Sequence, residues 1–241
     1  MKTILILALA VLFGGAAAAS AAEPQPTGWK ALLIAGDYHE LAFDNAVEAM
    51  AHKLESYGVR ADDVTVLKSR GEVEDVANRK NIQAGFAALA ADPSEGCFVF
   101  ATSHGVPGKG LVMRRADAVL SPGALSAMLD HSCGSRPTVV IASGCFSGIF
   151  AEGPPVPAAN RAILTAARDD RPSFGCNAHL EYTVFDHCIL DSLERGILWR
   201  MVMDRTRVCV SGNEFDMRVP EPSEPQLSVG AAVAGLKVFA P

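Results

Sequence analysis

The sequence predicts an α/β fold, a mostly parallel central sheet with helices on both faces. Short apolar runs, each closed by a glycine or a turn, alternate with segments of helical periodicity. That alternation builds strand–helix–strand units and a parallel sheet. One run, residues 96–102 (GCFVFAT), is apolar nearly throughout, as a strand covered on both faces should be.

The elements follow in order. Residues 30–35 (KALLIA) form a first strand ended by Gly36. From 45 to 57, Val47, Met50 and Leu54 recur at helical spacing, and Gly58 stands where a terminating glycine belongs. Residues 64–67 make a second strand; Ile82, Phe86 and Leu89 mark one face of a helix over 81–91. Beyond the strand at 96–102, residues 111–113 form a small hairpin behind Gly108 and Gly110. Ser121 caps a helix over 121–129 and Pro122 opens it. Residues 138–142 (TVVIA) and 162–165 (AILT) are the fourth and fifth strands. The stretch 183–203 has the spacing of one or two helices. Pro220, Pro222 and Pro225 stiffen a linker, and residues 227–239 add a last strand. Residues 23–241 are read as a single domain, with 153–157 (GPPVP) a loop inside it.

The chain starts with Met1 and Lys2, then an apolar run to Phe13, then small residues through Ala22 that include Ala19-Ser20-Ala21. That order describes a secretory signal peptide over residues 1–22, cut near Ala21-Ala22. The expected product is exported, periplasmic or secreted, and not stably inserted in a membrane. A retained anchor is the competing reading, since the segment approaches the roughly 20 residues of a span. A formal charge of -6 without a basic run argues against nucleic acid as a partner. Six cysteines, Cys97, Cys133, Cys145, Cys176, Cys188 and Cys209, suggest disulfides in an oxidising compartment, with the pairing left open. No two form a C-x-x-C pair and no histidine stands at finger-like spacing, so neither a metal nor a cofactor is expected.

Two motifs carry chemistry, and each follows a predicted central strand. Thr102-Ser103-His104-Gly105 leaves the third strand, and Ser143-Gly144-Cys145-Phe146-Ser147-Gly148 leaves the fourth. In open α/β sheets the working crevice lies beyond the carboxyl ends of the strands. The 41 positions from His104 to Cys145 leave room for a hairpin, a helix and a strand, so both side chains can emerge at one rim. A thiolate is the nucleophile, and a neighbouring imidazole takes its proton or stabilises its charge. Gly105 and Gly144 permit close backbone approach. The amides of Gly105 and Cys145 can then meet the oxyanion of an attacked carbonyl.

A His-Gly after one strand and a Cys turn with Ser-Gly after the next resemble the legumain-type C13 cysteine peptidases of the caspase-like clan. Leu164-Thr165-Ala166-Ala167 with Ser173-Phe174-Gly175-Cys176 resembles that family's pocket strand and the segment after it, and Leu32-Leu33-Ile34-Ala35-Gly36 its first strand. The resemblance runs from about Lys30 to Asp191. It implies a caspase-like (caspase-hemoglobinase) fold, peptide or protein substrates, His104 and Cys145 as the catalytic pair, and cleavage through a thioester. Legumains place an acid two positions before the nucleophile, where this chain has Ser143, and an Asn and an Arg after the first strand, near Glu40 and Ala42 here. Asp186 is a further pocket acid. A pocket lined by Glu40, Ser143 and Asp186 without an arginine would favour a basic side chain over the family's Asn or Asp.

Other readings compete. A transpeptidase or ligase shares the first half-reaction, and the altered pocket positions would also suit a catalytically silent peptide-binding protein. A redox protein lacks its C-x-x-C. A serine hydrolase lacks its G-x-S-x-G, because Cys145 stands two positions before Ser147. His39, His52, His131, His179 and His187 read as surface or satisfied core histidines, His39 being nearest the rim. Cys97 reads as a small buried hydrophobe. Cys133, Cys176, Cys188 and Cys209 read as disulfide partners or inert thiols, Arg161 and Arg171 as solvated surface, and Asp169 and Asp170 as loop acids.

Overall fold

The computed structural model describes residues 25–92, 95–176 and 180–240; the leader expected over 1–22 lies outside them. In chain order the elements are β1 (Trp29–Ala35), α1 (Leu41–Ser56), β2 (Val64–Leu67), α2 (Arg79–Ala88), β3 (Gly96–Thr102), β4 (Gly105–Val106) and β5 (Gly110–Met113). There follow β6 (Ala118–Leu120), α3 (Pro122–Ser132), β7 (Thr138–Ser143), β8 (Arg161–Thr165), α4 (Val184–Ser192), α5 (Trp199–Asp216) and β9 (Gln226–Val229). The main sheet runs β2-β1-β3-β7-β8-β9, parallel except for β9. Strands β4, β5 and β6 form a small antiparallel sheet between β3 and α3, larger than the hairpin expected there.

Alternation along the strands divides the core. Leu33, Phe98, Phe100, Val139, Ile141 and Leu164 face the layer of α1, α4 and α5. Leu32, Ile34, Val99, Val140 and Ile163 face α2 and α3. The central strands are therefore apolar on both sides, and each fully buried large side chain contributes about 1.5–3 kcal/mol over exposure.

Several expectations are corrected. Helix α1 begins at Leu41, four residues before the expected start, with Glu40 as an N-cap that makes no side-chain capping bond. Helix α5 runs on to Asp216, well past 203, because Val202, Met203, Thr206, Val210 and Glu214 keep one narrow buried strip among polar residues. The last strand is only Gln226–Val229. Cys97 is bonded to Cys133, tying β3 to α3, and Cys188 to Cys209, tying α4 to α5. Arg161 is buried, 1% exposed, where its guanidinium donates to Asp130 (2.6 Å) and to the Val156 carbonyl (3.0 Å). Among the described residues no helix is long and apolar enough to cross a membrane, and no group of His, Cys, Asp or Glu could hold a metal ion.

Candidate active site

The parallel pairing of β3 with β7 ends on the row Thr102↔Ser143. His104 and Cys145 each stand two residues beyond that row, at adjoining strand exits. The Ser103 amide continues the ladder by donating to the Ser143 carbonyl at 3.0 Å. Strand β5 crosses this exit, and its Val112 amide donates to the His104 carbonyl at 2.9 Å. Two sheets therefore fix the backbone of His104, while its ring meets Phe43 of α1 edge-on, 5.3 Å between centroids. The imidazole thus lies on the α1 and α4 side of the main sheet.

Cys145 is a free, partly buried thiol. It faces the backbone of Ser173: the Ser173 N–H lies 3.3 Å from Sγ, and Sγ lies 3.4 Å from the Ser173 carbonyl. As a thiol Cys145 can donate to that carbonyl, and as a thiolate it can accept from that amide, so one residue serves both protonation states. Phe146 follows in the left-handed region at φ 58°. This is a costly conformation for an aromatic residue, roughly 1–3 kcal/mol, and the Phe146 amide is anchored on the Arg171 carbonyl at 2.8 Å. The turn is held against local strain, as it must be to project a side chain from a strand end.

Glycine is required on both sides of the junction. A Cβ on Gly105 would stand 1.7 Å from the carbonyl oxygen of Cys145, and one on Gly144 would stand 2.5 Å from that of Ser103. The two exits touch main chain to main chain, which sequence could only suggest. Gly105→Ala is accordingly expected to cost about 1–3 kcal/mol through overpacking and to displace Cys145. A thermal melt together with labelling of the Cys145 thiol checks this, and an unaltered labelling rate would contradict it.

Below the rim, Thr102 Oγ1 donates to Asp186 Oδ2 at 2.6 Å, while the Asp186 amide donates to Thr183 Oγ1 at 3.1 Å, capping α4. Asp186 is 0% exposed. Burial pushes its carboxyl from 3.8 up to about 6, against the opposing pull of Ser143, Thr102 and Thr183. Ser143 Oγ and Asp186 Oδ1 nevertheless each lack a partner in hydrogen-bonding geometry, so the two are neighbours without a formed bond. Cys176, the other free cysteine, has its thiol pushed up to about 12, first by burial and then by the charges of Cys145, Asp186 and Glu40. Ala42 is buried in α1.

The structure brings together His104, Gly105, Ser143, Cys145 and Asp186, with Glu40 at the start of α1. Sequence reasoning did not find the Ser173 backbone contact, the Phe43 ring beneath His104 or the Thr102 bond to Asp186, since each joins residues distant in sequence. His39 follows β1, the strand that pairs with β3. Its Nδ1 donates to Asp37 at 2.7 Å, and Arg114 clamps the same carboxylate at 2.7 and 2.9 Å. Burial alone would raise Asp37, but Arg114 and His39 outweigh it and hold its carboxyl below the ordinary value. His179 lies outside the described residues.

A model of the peptidase C13 family matches residues 76–197, which include His104, Cys145 and Asp186. The chain belongs to the peptidase C13 family. A search of curated proteins found no match. The crystal structure of caspase-1 from Spodoptera frugiperda superposes with a TM-score of 0.64, covering 90% of this chain and 91% of that one at 14% identity. That likeness shows the caspase-like fold of this C13 member, and family and fold together point to cysteine-peptidase-type chemistry.

Proposed function

We propose that this C13 family member is an exported cysteine endopeptidase that hydrolyses peptide bonds through a thioester on Cys145, with His104 as general base and acid. One observation carries the reading: two parallel strands leave the sheet in register, with His104 and Cys145 at equivalent positions and Gly105 packed on the Cys145 peptide. Cys145 Sγ attacks the carbonyl carbon after His104 takes its proton. The tetrahedral oxyanion faces the amides of Gly105 and Cys145. The C–N bond breaks as His104 returns the proton to the departing amine, and water activated by His104 then cleaves the thioester. Export is supported by the leader pattern of residues 1–22 and by the two disulfides, which belong to an oxidising compartment.

The test is labelling by a peptidyl acyloxymethyl ketone, with the adduct mapped by mass spectrometry. A single adduct on Cys145, absent in Cys145→Ala, and peptide cleavage lost in the same variant support the reading. Adducts elsewhere, or cleavage that survives in Cys145→Ala, would overturn it.

A further inference from the structure

Three arginines converge on the turn that follows β1, and all three are exposed. Arg70 donates to the Tyr38 carbonyl through two nitrogens, its Nε at 2.8 Å. Arg115 lies over the Tyr38 ring, 4.8 Å from the centroid, and its Nε donates to the Ser69 carbonyl at 3.0 Å. Arg114 is held by two bonds on the buried carboxylate of Asp37. The whole chain is acidic, at -6, yet among the described residues Asp37 is the only carboxylate ion-paired to any of these arginines. Asp37 is already shared between Arg114 and His39, and the nearby Asp44 is buried on the Ser69 amide and hydroxyl. Arg70 and Arg115 thus carry anchored, exposed charges with no ion-pair partner among the described residues, and each keeps N–H donors to spare. Anchoring reduces the side-chain entropy lost when an anion arrives, and the planar fork suits a carboxylate.

Strand β5 ties this patch to the active site. Its Val112 amide donates to the His104 carbonyl, and two residues on the Arg114 amide donates to the Gly36 carbonyl at 2.8 Å. The strand order β1-β3-β7 sets the His104 exit between the arginines and Cys145. His104 protonates the departing amine, so the leaving peptide lies on its side of the nucleophile. Neighbouring strands stand about 4.8 Å apart, which puts the β1 exit about 10 Å from the β7 exit. An extended peptide covers that distance in about three residues.

We propose that Arg70 and Arg115, reinforced by Arg114, bind a substrate carboxylate two or three residues beyond the scissile bond. Its source is an acidic side chain or the free C-terminus of a short leaving fragment. This deepens, and rests on, the peptidase reading.

The experiment uses peptides that share one cleaved sequence up to the cut and differ only beyond it, with products read by mass spectrometry. One amidated peptide carries alanine at the second and third positions after the cut, and others carry aspartate or lysine there. A last one keeps the alanines and ends at the third position in a free carboxylate. With the wild-type protein a carboxylate is expected to raise kcat/KM over alanine by about three- to tenfold at about 50 mM salt, and lysine to lower it. Both effects shrink at about 500 mM salt, since the arginines are exposed. A gain from internal aspartate assigns the side chain, and a gain confined to the free carboxylate assigns the chain end. In the double variant Arg70→Gln, Arg115→Gln the acidic-to-alanine ratio falls to about one, whereas Arg70→Lys with Arg115→Lys keeps part of it. No gain from any carboxylate in the wild type overturns the inference and leaves the peptidase reading standing. Equal losses on acidic and alanine peptides in the glutamine variant overturn it as well, since the arginines would then only support the structure. The wild-type profile and its salt dependence decide the matter even if that variant does not fold. No cleavage of any peptide, with no labelling of Cys145, removes both readings together.

Discussion

His104→Ala is expected to lower kcat/KM at neutral pH by about 10²–10⁴-fold, the usual contribution of a positioned general base. KM should change little, because the imidazole acts on the thiol and the leaving amine rather than holding the peptide. Some stability is lost as well, about 1 kcal/mol, since the ring packs edge-on against Phe43. The residual rate should climb with pH, as solvent base takes over deprotonation of Cys145. The control is His39→Ala. His39 leaves the neighbouring strand β1, is anchored by Asp37 at 2.7 Å and has 56% of its side chain exposed, so its loss should cost less than about threefold. Steady-state kinetics on both variants checks the assignment. Full activity in His104→Ala with inactivity in His39→Ala would transfer the base to the β1 exit.

Asp186→Asn is expected to stabilise the protein at pH 7.5. Burial raises the Asp186 carboxyl from 3.8 to about 6, so the folded state holds this proton more tightly than the unfolded chain. The resulting contribution to stability is fully present below about pH 4 and is lost as pH rises through about 6. Above that pH the ionised, buried carboxylate is a net cost, on the order of 2–3 kcal/mol for a shift of this size. Asparagine keeps an acceptor for Thr102 Oγ1 and removes the charge. The melting temperature should therefore rise by about 5–10 °C at pH 7.5, with the gain shrinking to nothing or reversing near pH 4. Calorimetry across that range checks it. A variant less stable at pH 7.5, or a gain independent of pH, would contradict the account.

The sequence by itself determined the framework. Apolar runs such as 96–102 and 138–142, bounded by turns, have no favourable place except a covered parallel sheet, so β3 and β7 were legible from composition and period alone. So were the positions of His104 and Cys145, because side chains just past two consecutive parallel strands emerge at one rim. Helix α1 started early because its first turn, Leu41 to Asp44, carries no capping side chain to announce it. Helix α5 ran long because a buried strip one residue in four wide is faint among charged neighbours. Local pattern also misread Cys97 and Arg161: the first is bonded to Cys133, 36 residues away, and the second reaches Asp130 on another element. Only the tertiary structure decided that the Ser173 backbone meets the Cys145 thiol, that Gly105 packs on the Cys145 peptide, and that Asp186 lies buried with one oxygen unpartnered. The reason is physical. Periodicity records which face of an element is apolar, whereas a hydrogen bond, a disulfide or a buried charge depends on two residues meeting across the fold, and nothing local to either one encodes the meeting.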